Sequence, residues 1–279
     1  MTAATRRVVL IGHPLGHSVS PAFQNAAFAA SGIDARYALA DVPPEDVERT
    51  VASLRTDAML GANVTVPYKR DVIPFLNALS DDARALGAVN TIVNHAGRLS
   101  GLNTDVPGFA ADLRAHDVVM QGRVVVLLGA GGAARAVAAA LTAMGVGHLA
   151  IANRSIARAR EITDQYPTVC TAYTLGSDAL HDILPGAALL VNATSVGLHG
   201  DATPLDDAAL ALLPPAAVVY DLIYRPTALL RYAAERGYRT IDGLGMLVHQ
   251  GALAWEAWTG QPAPINVMWV AARAARDDT

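Results

Sequence analysis

The sequence predicts an α/β protein of two domains. Short apolar runs of strand length alternate with alanine-rich stretches of helical length, a pattern typical of parallel α/β architecture. A glycine-rich turn directly follows the most hydrophobic run, residues 124–128, as in dinucleotide-binding domains. The 279 residues allow one large or two ordinary domains, and a hydrophobic share of 52% is enough for sizeable cores. We expect two domains.

An N-terminal α/β substrate domain is predicted over residues 1–106, and the C-terminal helices at 241–279 should return to it. Its elements are expected in this order: strand 8–11, helix 21–31, strand 35–40, helix 46–55 and strand 59–64. Pro21 suits the first turn of its helix, where an N–H has no partner anyway. Pro67 sets extended geometry for Val66, so the chain leaves the third strand as a loop, where α/β sheets place their chemistry.

The second domain, predicted over residues 107–240, is expected to be a Rossmann-type dinucleotide-binding domain. We place the boundary inside a helix at about residues 106–117. The strand at 124–128 is apolar throughout, as in a central parallel strand covered on both faces. A helix at 133–144 and a strand at 148–152 should follow it. A later helix that includes residues 246–259 would bring Gln250 back to the first domain.

Composition excludes several classes of function. A net charge of -4 without a basic run argues against nucleic acid as a partner, and no apolar run is long enough to span a membrane. Cys170 is the only cysteine, so an intramolecular disulfide and a cysteine-based zinc site are excluded. His13 and His17 flank a proline and a glycine rather than sharing a helix face, and we expect no metal. With no secretory signal expected, the predicted location is the cytoplasm.

The glycine-rich turn, Gly129 to Ala134, has the setting of a cofactor site, between a buried strand and a helix. Its first glycine can make the tight turn, its second lets the backbone approach a pyrophosphate, and Ala134 permits close helix packing. The helix N-terminus adds amides and partial positive charge for phosphates. The predicted cofactor contacts here are Gly129, Ala130, Gly131, Gly132 and Ala133. The alternative is a turn that serves packing alone.

The end of the next strand favours NADP over NAD. Asn153, Arg154 and Ser155 stand where an NAD enzyme would place an acidic residue. Arg154 offers a planar set of donors that suits a 2′-phosphate, and Arg158, one helical turn on, adds charge or faces water. The alternative for Arg154 is a solvated surface arginine.

Lys69 and Asp105 form a candidate proton-transfer pair. They end the segments 61–69 and 101–105, which lie in a chain that also carries the dinucleotide turn. Reversible oxidation of a secondary alcohol moves one proton and one hydride, and a lysine beside a carboxylate near a nicotinamide can handle the proton. No Ser-His-Asp arrangement or Gly-x-Ser-x-Gly elbow supports acyl transfer.

These segments together resemble the shikimate dehydrogenase family, whose close relatives include the quinate/shikimate dehydrogenases. The resemblance spans nearly the whole chain and keeps the family's order. It rests on residues 11–14, 17–21, 61–69, 87–91, 101–105, 192–195 and 243–250.

The resemblance implies a reversible NADP-dependent reduction of 3-dehydroshikimate to shikimate, a step of aromatic amino acid biosynthesis. Ser18 and Ser20 would bind the substrate carboxylate, and Lys69 and Asp105 would flank the hydroxyl that is oxidised. The residues implied at the ring hydroxyls or close to the substrate are Asn63, Thr65, Asn90, Tyr224 and Gln250. Further cofactor contacts are implied at Thr194, Ser195, Gly243 and Met246.

Several alternatives stay open on the sequence alone. Burial would favour the neutral amine of Lys69 whereas a carboxylate would favour the ammonium, so either Lys69 or Asp105 could be the principal base. Ser20 could also cap the helix that begins at Pro21. Thr227 directly follows Pro226, which implies a shorter turn than relatives have and a changed pose for Tyr224.

The rival functions are a paralogue that prefers quinate or an amino-substituted analogue, and a non-catalytic NADP- or metabolite-binding regulator. Ser20 weakly favours shikimate over quinate, and the Lys69–Asp105 pair argues against a regulator. The partner is a small-molecule substrate in every enzymatic reading. The protein is expected to be a monomer or a homodimer.

Overall fold

The computed structural model describes residues 5–16 and 18–278. The chain divides into two compact units: the first comprises Met1–Gly108 and Leu247–Thr279, and the second comprises Phe109–Met246. Among the helices of the described residues, none combines the length and the apolar character that a membrane span requires.

Strands and helices alternate along most of the chain. The strands are β1 (Arg6–Gly12), β2 (Ala35–Asp41), β3 (Met59–Val64), β4 (Ala78–Leu79), β5 (Thr91–His95), β6 (Arg98–Leu102), β7 (Val124–Leu128), β8 (His148–Asn153), β9 (Cys170–Thr174), β10 (Ala187–Asn192), β11 (Val218–Asp221) and β12 (Arg239–Ile241). The helices are α1 (Ser20–Ala30), α2 (Val47–Ser53), α3 (Asp81–Leu86), α4 (Asp105–Ala115), α5 (Gly132–Ala143), α6 (Ile156–Thr163), α7 (Asp178–His181), α8 (Asp207–Leu210), α9 (Ala228–Glu235), α10 (Leu244–Thr259) and α11 (Ile265–Asp277). The mixed α/β class predicted from the sequence is confirmed.

The sheet of the first unit has the strand order β2-β1-β3-β5-β6-β4. Strands β1, β2 and β3 are parallel, whereas β5 runs antiparallel to both β3 and β6. The prediction of a parallel architecture is therefore wrong for this part of the sheet. The β5–β6 hairpin turns at Ala96 and Gly97, whose φ angles of 50° and 82° are left-handed. Alanine is an unusual residue in such a turn, so the sequence gives only a weak hairpin signal.

The sheet of the second unit is parallel throughout, in the order β12-β11-β10-β7-β8-β9. Counted within this unit, the strands have the doubly wound order of a Rossmann fold. The order reverses between β7 and β10, so the loops that follow these two strands emerge side by side. Ligands of such sheets bind at this point, outside the carboxyl ends of the strands.

Each unit has its own apolar core. In the first unit, strand residues such as Ile11 and Ile92 pack with Val51 and Leu54 of the α2 region. In the second unit, residues of β7, β8, β10 and β11 pack against the helices that cover the sheet, and β7 residues Val125 to Leu128 are fully buried. Rigid strands therefore support the loops that carry the candidate site residues.

Most predicted boundaries lie within two residues of the structure, and the differences have local causes. Helix α1 begins at Ser20, and its N-cap is Val19, so the interpretation of Ser20 as the cap is wrong. The helix predicted at 46–55 is a 3-10 turn at Pro44–Asp46 followed by α2. Helix α4 begins at Asp105, because the side chain of Asn103 accepts the N–H of Asp105 at 3.1 Å.

Candidate active site

Lys69 and Asp105 meet in the first unit. The Nζ atom of Lys69 lies 2.7 Å from Oδ2 of Asp105, and the two side chains are 15% and 8% exposed. The loop after β3 delivers Lys69, where the N–H of Val89 donates to its carbonyl at 2.7 Å, and Asp105 opens α4. The structure thus brings the two residues together as expected.

Lys69 is also the only lysine in the sequence. The other residues among the 21 lysines and arginines are all arginine. An arginine cannot release its proton in a protein, whereas an ammonium can. The single side-chain amine of the sequence therefore lies beside Asp105.

The side-chain amide of Asn90 lies on the other oxygen of Asp105. Its Nδ2 is 2.9 Å from Asp105 Oδ1, 2.9 Å from Thr104 Oγ1 and 3.3 Å from Gln250 Oε1. Asn90, Asp105 and Gln250 are all buried. The carboxylate of Asp105 therefore has a donor on each oxygen, the amine of Lys69 on Oδ2 and the amide of Asn90 on Oδ1.

Asn63 is bonded within the fold. Its Nδ2 donates to the carbonyl of Asn90 and to the hydroxyl of Thr91, both at 3.1 Å, and its Oδ1 accepts from the Tyr37 hydroxyl at 2.9 Å. Both amide hydrogens are therefore committed inside the protein. Asn63 thereby ties β3 to the residues around Asn90.

Ser18 lies on the loop after β1, Ser20 is the first residue of α1, and Thr65 directly follows β3. The hydroxyl of Ser18 accepts the N–H of Ser20 at 3.2 Å, and Ser20 is buried. Burial raises the pKa of Tyr37. The N–H of Thr65 donates to the carbonyl of Ile11 at 2.8 Å, which ties the start of the loop after β3 to β1. His17 lies outside the described residues.

Tyr68, next to Lys69 in the chain, is part of the core and not of the Lys69–Asp105 pair. Its hydroxyl donates to the carbonyl of Val42 at 2.6 Å, and the side chain is buried in the core of the first unit. It anchors the loop that carries Lys69.

In the second unit, the glycine-rich turn follows β7 at the point where the strand order reverses. Gly129 has a φ of +106°, and a Cβ there would lie 2.9 Å from the carbonyl oxygen of Ala193, so no larger residue fits. Gly131 is the N-cap of α5, and a Cβ on it would point into open space. Open space above a helix N-terminus suits a pyrophosphate, so the residues present fit a dinucleotide.

Arg154 and Arg158 are exposed at the end of β8 and on the first turn of α6. Neither guanidinium has an ion-pair or hydrogen-bond partner among the residues that the structure describes. The side chain of Asn153 donates to the carbonyl of Ser155 at 2.9 Å, which shapes the turn between strand and helix. Two cationic groups are thus available to an anion.

The loop after β10 is held by a buried network. The N–H and hydroxyl of Thr194 donate to Asn192 Oδ1 at 3.0 and 2.7 Å, while Ser195 is exposed. Asn192 Nδ2 donates to Asp221 Oδ1 at 3.0 Å, and Thr227 donates to Asp221 Oδ2 at 2.8 Å. Burial raises the pKa of Asp221 despite these donors.

The same network explains the short turn after Pro226. Thr227 is the N-cap of α9, where its hydroxyl accepts the N–H of Leu230 at 3.3 Å. The helix thus starts immediately after the proline, and Tyr224 stands half-buried in the turn that precedes it.

Gly243 and Met246 lie at the start of α10. A Cβ on Gly243 would lie 1.9 Å from the carbonyl oxygen of Leu222, so this close approach requires glycine. Met246 is buried, and its backbone N–H bonds the Tyr220 hydroxyl. Across the described ranges, no three His, Cys, Asp or Glu side chains are grouped to hold a metal ion.

Comparison with known proteins covers nearly the whole chain. Residues 10–92 match the shikimate dehydrogenase substrate binding domain, residues 113–198 match shikimate/quinate 5-dehydrogenase, and residues 243–273 match the shikimate 5′-dehydrogenase C-terminal domain. The shikimate dehydrogenase (NADP(+)) of Symbiobacterium thermophilum is 48% identical over 95% of this chain and 93% of its own length. The chain belongs to the shikimate dehydrogenase family.

Solved structures of this family have the same fold. Shikimate 5-dehydrogenase from Thermus thermophilus, in complex with NADP(H) and shikimate, is 38% identical over 97% of this chain and 99% of its own, with a TM-score of 0.87. Quinate dehydrogenase from Corynebacterium glutamicum, in complex with NAD, is 31% identical over 97% and 99%, also with a TM-score of 0.87. The family resemblance inferred from the motifs is confirmed.

Sequence reasoning missed several residues beside the Lys69–Asp105 pair. Thr104 lies in the segment 101–105, which contributes to the family resemblance, but no function was predicted for its side chain. Tyr37 and Thr91 were also missed, although Thr91 directly follows Asn90. An alternating strand pattern shows which residues face the core, but it cannot show which buried hydroxyl bonds which amide.

Proposed function

We propose that the protein is an NADP-dependent shikimate dehydrogenase, which reduces 3-dehydroshikimate to shikimate reversibly. The observation that carries the proposal is the buried Lys69–Asp105 pair at 2.7 Å, in a chain 48% identical to a shikimate dehydrogenase (NADP(+)) over 95% of its length. The activity is that of an oxidoreductase in aromatic amino acid biosynthesis.

The proposed substrate residues lie in the first unit, together with Tyr224 of the second. Ser18 and Ser20 bind the substrate carboxylate, since their loop precedes a helix whose first turn favours anions. Asn63, Thr65, Asn90 and Gln250 bind ring hydroxyls, and Tyr224 is a further proposed substrate residue. Asn63 also supports Asn90 and Thr91, to which its amide hydrogens are bonded.

Lys69 and Asp105 handle the proton. When shikimate is oxidised, the carbinol carbon loses a hydride, and the hydroxyl proton must pass to the protein as the carbonyl forms. In oxidation the neutral amine of Lys69 takes that proton and becomes an ammonium beside Asp105, and in reduction this ammonium returns the proton to the carbonyl oxygen. NADP, when bound, supplies the hydride acceptor, and NADPH returns the hydride in the reductive direction.

The second unit is proposed to hold the cofactor. The turn Gly129 to Ala133 and the N-terminus of α5 would bind the pyrophosphate. Arg154 and Arg158, both exposed, would bind the 2′-phosphate beside Asn153 and Ser155. Thr194, Ser195, Gly243 and Met246 complete the proposed contacts.

We further propose that the substrate-binding domain corresponds to residues 1–106 with 241–279 and the NADP-binding domain to 107–240. The compact units change at Gly108 and at Met246, a few residues from these limits. The state as monomer or homodimer and the cytoplasmic location stay predictions from the sequence.

A second candidate is a dehydrogenase that prefers quinate, since a quinate dehydrogenase with NAD shares the fold at 31% identity. Ser20 weakly favours shikimate, because quinate users often have threonine there. Arg154 favours NADP, because a free guanidinium suits a 2′-phosphate better than an acid would.

The test is a steady-state comparison of the purified protein with shikimate and with quinate, each with NADP and with NAD. NADPH absorbance follows the reaction in both directions. We expect shikimate with NADP to give the highest kcat/KM. A higher kcat/KM with quinate or with NAD would show that the proposed specificity is wrong. An absence of turnover with every combination of substrate and cofactor would favour a non-catalytic regulator.

A further inference from the structure

A buried polar network surrounds the amide of Asn90. Asn63, Asn90, Thr91 and Thr104 are each at most 6% exposed, and Thr91 is fully buried. Buried polar atoms without partners are costly, so the direction of each hydrogen bond in such a network is constrained by the others.

The Oδ1 atom of Asn90 lies among donors. The backbone N–H of Thr104 donates to it at 2.8 Å, and the hydroxyl of Thr91 donates at 3.0 Å. Its Nδ2 lies 2.9 Å from the carboxylate oxygen Oδ1 of Asp105. A flipped amide would oppose donor to donor at Thr104 and oxygen to oxygen at Asp105. The orientation shown is the one in which Asn90 donates to Asp105.

The hydroxyl of Thr91 is itself directed by Asn63. These two residues face each other across the antiparallel β3–β5 pair. Asn63 Nδ2 donates to Thr91 Oγ1 at 3.1 Å, and the Tyr37 hydroxyl donates to Asn63 Oδ1. Because the oxygen of Thr91 accepts from Asn63, its own hydrogen is available for Asn90.

We propose that Thr91 is a positioning residue: its hydroxyl, held by Asn63, fixes the Asn90 amide in the orientation that donates to Asp105. Thr91 is fully buried, so it acts through Asn90 and not by contact with a ligand. The proposal rests on the proposed function, in which Asp105 takes part in proton transfer.

Two substitutions separate the hydroxyl from the packing of this side chain. Thr91→Val keeps the volume and removes the hydroxyl, whereas Thr91→Ser keeps the hydroxyl and removes a methyl group. If Thr91→Val does not fold, Thr91→Ala compared with Thr91→Ser makes the same distinction. Thr163→Val is the matched control, because Thr163 is buried in the second unit and its hydroxyl donates to a backbone carbonyl, that of Arg160 at 3.2 Å.

The kinetic readout is kcat and KM for shikimate with saturating NADP, together with the pH profile of kcat/KM. We expect Thr91→Val to lower kcat/KM about ten-fold, the effect of one lost buried hydrogen bond, with most of the loss in kcat. Thr91→Ser should restore wild-type kcat, and Thr163→Val should not change it. Retained kcat in Thr91→Val, or equal losses in the valine and serine variants, would overturn the proposal.

A second readout does not depend on turnover. In the ligand-free protein, the two side-chain amide hydrogens of Asn90 should exchange with solvent about ten-fold faster in Thr91→Val than in wild type or Thr91→Ser. Unchanged exchange would overturn the positioning role. If wild type fails to oxidise shikimate while exchange responds to Thr91→Val, the proposed function fails and the positioning of Asn90 stands.

Discussion

The ammonium of Lys69 and the Oδ2 atom of Asp105 are 2.7 Å apart in a largely buried setting. They are neighbours because β3 and β6 belong to one sheet, and the loops after these strands bring the two side chains together. The pair is partly shielded from water, so its interaction is stronger than that of an exposed ion pair. Each of the two charges also keeps the other in place for chemistry.

Substituting Asp105 should remove most of the activity. Asp105→Asn keeps the shape of the side chain but removes the negative charge beside Lys69. It also replaces one carboxylate oxygen, which accepts hydrogen bonds, with an NH2 group, which donates them. We expect kcat to fall about 100-fold or more, because a group that transfers a proton usually accelerates the reaction by at least this factor. Asp71→Asn, an exposed change shortly after Lys69, is the control. An Asp105→Asn variant as fast as Asp71→Asn would contradict the role of this carboxylate.

The single lysine makes amine chemistry selective. Trinitrobenzenesulfonate reacts with neutral amines, and Lys69 is the only side-chain amine in the sequence. We expect inactivation to parallel one adduct on the peptide that contains Lys69, read by mass spectrometry. Shikimate should slow the inactivation and the labelling of Lys69 to the same extent, because bound shikimate would cover the amine. Complete labelling of Lys69 with full activity would be incompatible with a catalytic lysine.

Arg154 should set the cofactor preference. Its guanidinium is exposed at the end of β8, where a 2′-phosphate could take charge-assisted hydrogen bonds. Arg154→Asp should raise the KM for NADP about ten-fold or more and affect NAD much less. Arg158→Asp is the matched variant one helical turn away. Equal changes for NADP and NAD would reject the proposed 2′-phosphate site.

Cys170 should react slowly in the native protein. Burial raises the pKa of this thiol from 9.0 to about 11, so the reactive thiolate is scarce at neutral pH. The raised value also means that folding loses stability as the pH rises through 9 to 11, because the unfolded chain ionises first. Labelling by a thiol reagent at pH 8 should be slow until denaturant is added. Rapid labelling of the native protein would show an accessible thiolate.

Much of the fold follows from the sequence because its signals are local. Periodicity predicts β7 and α5, and the glycine turn between them has only one common structural setting. The antiparallel β5–β6 hairpin was missed, because its turn at Ala96 and Gly97 lacks the asparagine or aspartate that usually marks one.

The charged residues of the site could be predicted from the sequence, but the hydrogen-bonding residues that support them could not. Lys69 and Asp105 stand in motifs whose chemistry is recognisable along the chain. Tyr37, Asn63 and Thr91 depend on which strands become neighbours, and β3 pairs with β5 only in the folded sheet. The family resemblance implies substrate binding by Asn63, but only the folded sheet shows that its amide donates to Asn90 and Thr91.

The most direct test of the central claim is the kcat of Lys69→Arg for shikimate with NADP, measured by NADPH absorbance beside wild type. Arginine keeps the positive charge next to Asp105 but cannot release a proton. If Lys69 transfers the proton, kcat should fall about 100-fold or more while wild type turns over readily. A Lys69→Arg variant with wild-type kcat would show that charge alone suffices, and would contradict proton transfer by Lys69.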